Sequence, residues 1–179
     1  MSEYYTMKIA GLERKLEKFP VSDKLDIAAF IIFGDVELTV KGSEELLKKV
    51  PEFDVILTPE AKSIPIAYEM SRQSGKPYVV ARKGVKVYMG KPLEVSVTSI
   101  TTQKEQHLFL GESDVDKIKG KRILIVDDVV STGESLSSVR ELVNQAGGIE
   151  VATGCFLAEG DACKRDDIYF LEELPLFFK

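Results

Sequence analysis

The chain has no tryptophan, one histidine and two cysteines among its 179 residues. Two thiols, Cys155 and Cys163, are too few for a disulfide scaffold and fit a reducing compartment, so the cytoplasm is the expected location. A single imidazole, His107, leaves neither a zinc ligand set nor a serine–histidine–aspartate triad to build on. Long apolar runs are missing too. The longest, Ile27 to Phe33, falls far short of the roughly 20 residues that cross a bilayer, and Met1 to Tyr5 has neither a basic n-region nor an apolar core. No membrane partner is expected. Acid exceeds base, for a formal net charge of −5, which argues against nucleic acid as the main partner but allows a local basic patch for a small polyanion. No G-x-G-x-x-G follows a strand-like run, and a Walker A loop fails at Gly84 to Lys91, which has one residue too many before Pro92. What remains is a chain that is 44% hydrophobic, enough for one well-packed domain over residues 1–179, without linker, repeat or low-complexity segment.

The stretch Arg122 to Ser135 carries the most information. Ile123 to Val126 are consecutive apolar residues, as in a strand buried on both faces of a parallel sheet. Asp127 and Asp128 end that run, and two carboxylates are costly to bury unpaired, so the strand must deliver them to an open edge. Ser131, Thr132, Gly133 and Ser135 follow as helical periodicity begins at Leu136. Free amides, a positive dipole end and small hydroxyls make an anion site suited to phosphate, from which Glu134 must point away. Carboxylates suited to a polyol therefore adjoin a phosphate cup.

Around this stretch, strand and helix alternate. Val55 to Leu57 reads as a strand, Ile64 to Ser71 as a helix stopped at Gly75, Tyr78 to Ala81 as a strand, Leu136 to Val143 as one helical face stopped at Gly147-Gly148, and Ile149 to Leu157 as a strand. This order predicts an α/β fold with a mainly parallel, doubly wound sheet, in which ligands bind beyond the carboxyl ends of the strands. Two more strand ends suit anions: Glu60-Ala61-Lys62-Ser63, and Arg82-Lys83 with Lys86 and Lys91 beyond. Residues 1–50 read as an N-terminal hood or flap on a core of 51–179. The hood comprises a hairpin turning at Ala10-Gly11, a strand from Leu25 to Phe33, and a short helix capped by Ser43. Phe30 and Phe33 are candidates to stack on a flat ligand, though such residues more often fill a core. Gly84 to Gln106 reads as a two-stranded β-ribbon or lid outside the core, His107 as a strand residue, and the tail from Ile168 as an edge strand.

The Asp127 to Ser135 pattern resembles the phosphoribosyl-pyrophosphate signature of the type I phosphoribosyltransferases, and the order of features from Asp54 to Glu159 is similar to the purine branch, the adenine and xanthine types. The resemblance implies that Asp127 and Asp128 hold the ribose hydroxyls and that Ser131, Thr132, Gly133, Glu134 and Ser135 form the 5′-phosphate loop. Glu60, Ala61, Lys62 and Ser63 would form a pyrophosphate loop with a strained or cis peptide near Glu60-Ala61. Arg82 and Lys83 would reach pyrophosphate, often across a homodimer interface. It further implies a flexible catalytic loop from Gly84 to Lys104, with Lys86 and Thr101 as catalytic candidates beside Asp127 and Asp128, and a base contact from Phe156 to Gly160, with Phe156 joining Phe30 and Phe33. The cofactor would be Mg²⁺, carried by the substrate, with Asp127 or Asp128 as a protein ligand. The implied reaction is displacement of pyrophosphate from phosphoribosyl pyrophosphate by a purine, adenine first, with xanthine, hypoxanthine or guanine as alternatives. Ser99-Ile100-Thr101 lies where adenine-specific members carry Ser-Leu-Glu. Thr101 in place of Glu keeps open a second class, a non-catalytic regulator that binds the same ligand.

Overall fold

The computed structural model describes residues 3–98 and 105–179. Eleven strands are described: β1 (Tyr4–Ile9), β2 (Leu12–Ser22), β3 (Leu25–Ala28), β4 (Val55–Pro59), β5 (Tyr78–Ala81), β6 (Leu93–Thr98), β7 (Glu105–Leu110), β8 (Arg122–Val130), β9 (Ile149–Glu159), β10 (Tyr169–Leu174) and β11 (Phe177–Phe178). The helices are α1 (Val36–Lys49), α2 (Ile64–Ser74), α3 (Glu112–Ile118) and α4 (Glu134–Gln145), with short 3-10 turns at Val87–Met89 and Gly160–Lys164. The central sheet has the order β10-β9-β8-β4-β5 and is parallel throughout, as the strand and helix alternation predicts.

Successive residues of β8 point to opposite faces, so one run of apolar side chains feeds two cores. Leu124 and Val126 pack with α1, α2 and the N-terminal strands, while Ile123 and Ile125 pack with α3 and α4. Both faces are thus covered, and the carboxyl end of β8 is left as the open edge.

Three expectations are corrected. Helix α1 begins at Val36, because the Asp35 carboxylate accepts from the Leu38 amide at 3.1 Å and is itself held by Arg14, a cap stage earlier than Ser43. Ser43 and Gly42 are buried within the helix. A Cβ at Gly42 would lie 2.4 Å from the Phe156 ring, so this glycine is a packing seat and not a helix boundary. Second, α1 lies on the parallel sheet, so the hood is not residues 1–50. It is the sheet β1-β2-β3-β11, whose fourth strand comes from Phe177–Phe178. Third, β3 stops at Ala28. The in-and-out alternation persists, with Phe30 and Ile32 buried and Ile31 and Phe33 exposed, but without strand partners among the described residues.

The ribbon β6–β7 forms as expected, with His107 in β7 paired to Glu94 at 2.7 Å across it. Its inner face is not a free arm, because Val95, Leu108 and Leu110 are buried in the α4-side core. The edge strand expected in the tail is β10. No helix among the described residues is long and apolar enough to cross a membrane.

Candidate active site

The strand ends of β4 and β8 open onto one cavity of about 400 Å³, where open parallel sheets place their ligands. Its walls are the loop Pro59 to Ser63, Lys83, Leu108 of the ribbon, and the stretch Asp127 to Leu136 without Glu134. Sequence reasoning therefore brings together Glu60, Ala61, Lys62, Ser63, Lys83, Asp127, Asp128, Ser131, Thr132, Gly133 and Ser135. Leu108 was missed, since the ribbon reads from the sequence as ending at Gln106 and an apolar residue past it gives no sign that it faces a site.

At the centre, Asp127 Oδ1 accepts from the Asp128 amide at 2.9 Å. Asp128 is only 4% exposed. Lys62 Nζ lies 3.0 Å from its Oδ2 but off the hydrogen-bonding line, so that buried oxygen has no hydrogen-bond partner among the described residues. Burial, and next the neighbouring Asp128 charge, push the Asp127 carboxyl well above the usual aspartate range. Two carboxylates side by side in a dry site disfavour simultaneous ionisation. They suit hydroxyl donors or a cation. The Cys155 thiol, level with Asp127 across β9, is pushed up to about 12 by burial and by that carboxylate, which makes it an inert packing group.

The β8 end is an open cup. Gly133 takes the left-handed conformation (φ +85°) as the cap residue of α4. The amides of Gly133, Ser135 and Leu136 have no acceptor among the described residues, and that of Glu134 donates to Thr132 Oγ1 at 3.5 Å. Unsatisfied first-turn amides with the helix dipole behind them are the elements of a phosphate site. The Glu134 side chain stays out of the cavity lining, as its charge requires.

The β4 end is already engaged. The Glu60–Ala61 peptide is cis. Ser63 is buried, accepting from Thr58 Oγ1 at 2.7 Å and donating to the Pro59 carbonyl at 3.1 Å, so its hydroxyl is engaged within the loop. Glu60 Oε2 accepts from the Lys83 amide at 2.9 Å and sits 3.2 Å from Arg82 Nε. The Lys83 amide, and then Arg82, hold the Glu60 carboxyl below the usual range against its burial. Arg82 also donates to Tyr88 Oη at 3.0 Å and does not line the cavity.

Other candidates fall elsewhere. Phe156 is fully buried against Gly42, and Phe30, 4% exposed, packs 6.4 Å from it, ring to ring. Both are core residues, and the base-contact expectation for them is corrected. Phe33 is exposed but lines neither this cavity nor the one described next. Lys86 is exposed at the start of the 3-10 turn, its amide donating to Met89 Sδ at 3.1 Å, away from the cavity. Thr101, with Ser99 and Ile100, lies outside the described residues. A second cavity of about 460 Å³ shares the Ser131–Thr132 wall and runs under the hood, between Leu25, Ile27 and Leu176 on one side and Glu159 and Arg165 on the other. The Glu159 carboxyl is pushed upward by burial.

A doubly wound α/β fold with an acid pair and open helix-start amides at one strand end is the arrangement of a protein suited to a sugar phosphate. Comparison with known proteins makes this specific: residues 36–175 match the model of the phosphoribosyl transferase domain, and the chain belongs to that family. It is 35% identical over 127 residues to a hypoxanthine/guanine phosphoribosyltransferase of Methanothermobacter thermautotrophicus, across 70% of this chain but only 59% of that relative. It is 33% identical over 140 residues to an adenine phosphoribosyltransferase of Petrotoga mobilis, across 72% and 76% of the two chains. The crystal structure of an adenine phosphoribosyltransferase from Thermoanaerobacter pseudethanolicus shares the fold, with a TM-score of 0.70 at 21% identity over 89% of this chain and 94% of that one.

Proposed function

We propose that this chain transfers the phosphoribosyl group of phosphoribosyl pyrophosphate to a purine base in purine salvage and releases pyrophosphate. The observation that carries the reading is the buried Asp128 carboxylate beside Asp127, ion-paired with Lys62 but with one oxygen lacking a hydrogen-bond donor among the described residues, set between the amides of Gly133, Ser135 and Leu136 and the loop ends bearing Lys62 and Lys83. In this reading Asp127 and Asp128 accept from the ribose 2′ and 3′ hydroxyls, the amides of residues 133–136 bind the 5′-phosphate, and Lys62 and Lys83 meet the pyrophosphate. Bond breaking at C1′ places charge on the departing pyrophosphate and oxocarbenium character on the sugar. The two lysines stabilise the former, and the apolar wall of Leu108 limits water around the latter.

Among the described residues no group of three or more side chains forms a metal centre, but Asp127 and the Asp128 carboxylate, which Lys62 pairs without a hydrogen bond, are hard donors of the kind Mg²⁺ takes alongside substrate oxygens and water. Bound with the substrate, Mg²⁺ would neutralise pyrophosphate charge. The base belongs in the hood-side cavity, which adjoins the cup at Ser131–Thr132. Relatives named for adenine and for hypoxanthine/guanine support a purine. The exposed apolar residues Phe33, Val36, Val40 and Tyr68 support a second copy as partner, and two free thiols suit the cytoplasm.

Incubation with phosphoribosyl pyrophosphate, Mg²⁺ and each of adenine, hypoxanthine, guanine and xanthine tests the reading by nucleotide formation. Tight binding of the sugar phosphate without product from any base would establish the regulator that Thr101 left open.

A further inference from the structure

Arg165 was not singled out in the sequence, where it stands in the charged run Lys164-Arg165-Asp166-Asp167. In the fold it closes the 3-10 turn that follows β9. Its Nε and Nη2 donate to Asp167 Oδ1 and Oδ2 at 2.8 and 2.7 Å. Asp167 is gripped from the other side by Arg140 of α4, whose Nη1 donates at 2.7 Å while its Nε donates to Glu150 at 2.9 Å. The plane of the Arg165 guanidinium is therefore fixed before any ligand arrives, because a two-point fork on a carboxylate that is itself held leaves little freedom.

The third nitrogen, Nη1, has no acceptor among the described residues. It lies over the phosphate cup: a Cβ at Gly133 would be 2.6 Å from it. Arg165 shares a cavity wall with Ser131 and Thr132, where it is the only cation among the described residues and is opposed by Glu159 and Asp161. Lys62 and Lys83 stand at the other end of the main cavity. The cup itself offers amides and hydroxyls, neutral donors for a group with close to two negative charges.

We propose that Arg165 is a phosphate-binding residue: its clamped guanidinium donates Nη1 to the 5′-phosphate held by the 131–135 loop, giving that end of the ligand its cationic partner. This rests on the transferase reading of the site. Charge-assisted hydrogen bonds are stronger than neutral ones, and a pre-oriented one loses less on binding.

The test is calorimetric binding of ribose 5-phosphate and, separately, of pyrophosphate with Mg²⁺ to the wild-type chain, Arg165→Gln and Arg165→Lys, with thermal melting of each. Loss of one charge-assisted bond predicts ribose 5-phosphate bound about tenfold more weakly by Arg165→Gln, with pyrophosphate binding unchanged. Arg165→Lys should recover part of the loss, since it keeps the charge without the fork. Unchanged ribose 5-phosphate binding in both variants overturns the proposal. So does an equal loss for both ligands together with a lowered melting temperature, which would make Arg165 only a brace for the fold. If the wild type binds neither ligand, the transferase reading fails and takes this proposal with it.

Discussion

After β4 the chain turns its polar groups on itself: Ser63 is tied to Thr58 and Pro59, and Glu60 to the Lys83 amide and Arg82. After β8 it leaves them facing outward, with free amides and exposed Ser131, Thr132 and Ser135. Two ends of one cavity, both proposed to take anions, are thus prepared differently. In the proposed reading, a phosphate at the β8 end would meet the amides of Gly133, Ser135 and Leu136 without an acceptor of their own, whereas pyrophosphate at the β4 end would compete with the Glu60 carboxylate for the Lys83 and Arg82 region.

The largest effect should come where the ends meet. Asp128→Ala removes the acceptor between Lys62 and the sugar, and loss of a buried charged partner predicts a drop in turnover of about 100-fold or more in steady-state assays with the preferred base. A smaller loss would dissolve the link between the two ends. Gly133→Val acts on the cup alone: a side chain at φ +85° is strained and meets Arg165, so ribose 5-phosphate should bind about 30-fold more weakly by calorimetry while pyrophosphate is spared. Equal weakening of both would mean that the ends are not independent.

Asp127→Asn probes stability. Because its carboxyl is raised in the folded chain, the folded state holds a proton that the unfolded state gives up, so stability is full below the unfolded value and falls as pH rises through the folded one. The amide should therefore stabilise by about 1 to 2 kcal/mol near neutral pH and by nothing below about pH 4, read from urea melts at the two pH values. The smallest effect belongs to the engaged end. Glu60→Gln removes the competing charge and should tighten pyrophosphate binding by about threefold, with ribose 5-phosphate unaffected. Weaker pyrophosphate binding would show that Glu60 holds the loop in shape instead of guarding it.

The two ends also differed in how far they could be read from the sequence. The β8 end was legible because an apolar run stopping at two acids, then small residues and a helical period, has few other physical solutions. The parallel sheet followed from the same patterning. Helix α1 was misjudged because Gly42-Ser43 looks like a boundary, whereas the glycine exists to seat a ring from β9, a contact that no local rule reveals. Phe30 was offered to a ligand because composition does not say which aromatics the sheet will cover, and Phe156 because the resemblance implied a base contact there. Helix α3 went unseen, being short and without a side-chain cap at Gly111. The pairing of Glu60 with the Lys83 amide, and of Arg165 with Asp167 against Gly133, joins side chains through geometry that spacing does not encode.

The hood's outermost strand carries a last consequence. Phe177–Phe178 pairs with Leu25–Ala28, the Lys179 amide donates to the Lys24 carbonyl at 3.0 Å, and nearby Leu176 fits against Gly160, where a Cβ would lie 2.8 Å from it. During synthesis, then, the outer edge of the hood waits for residues made some 150 positions after its partner strand Leu25–Ala28. A nascent chain halted before Phe177, or a mature one nicked there by a protease, would leave Leu25–Ala28 without its outer partner strand while every residue of the Asp127–Ser135 stretch stays in place.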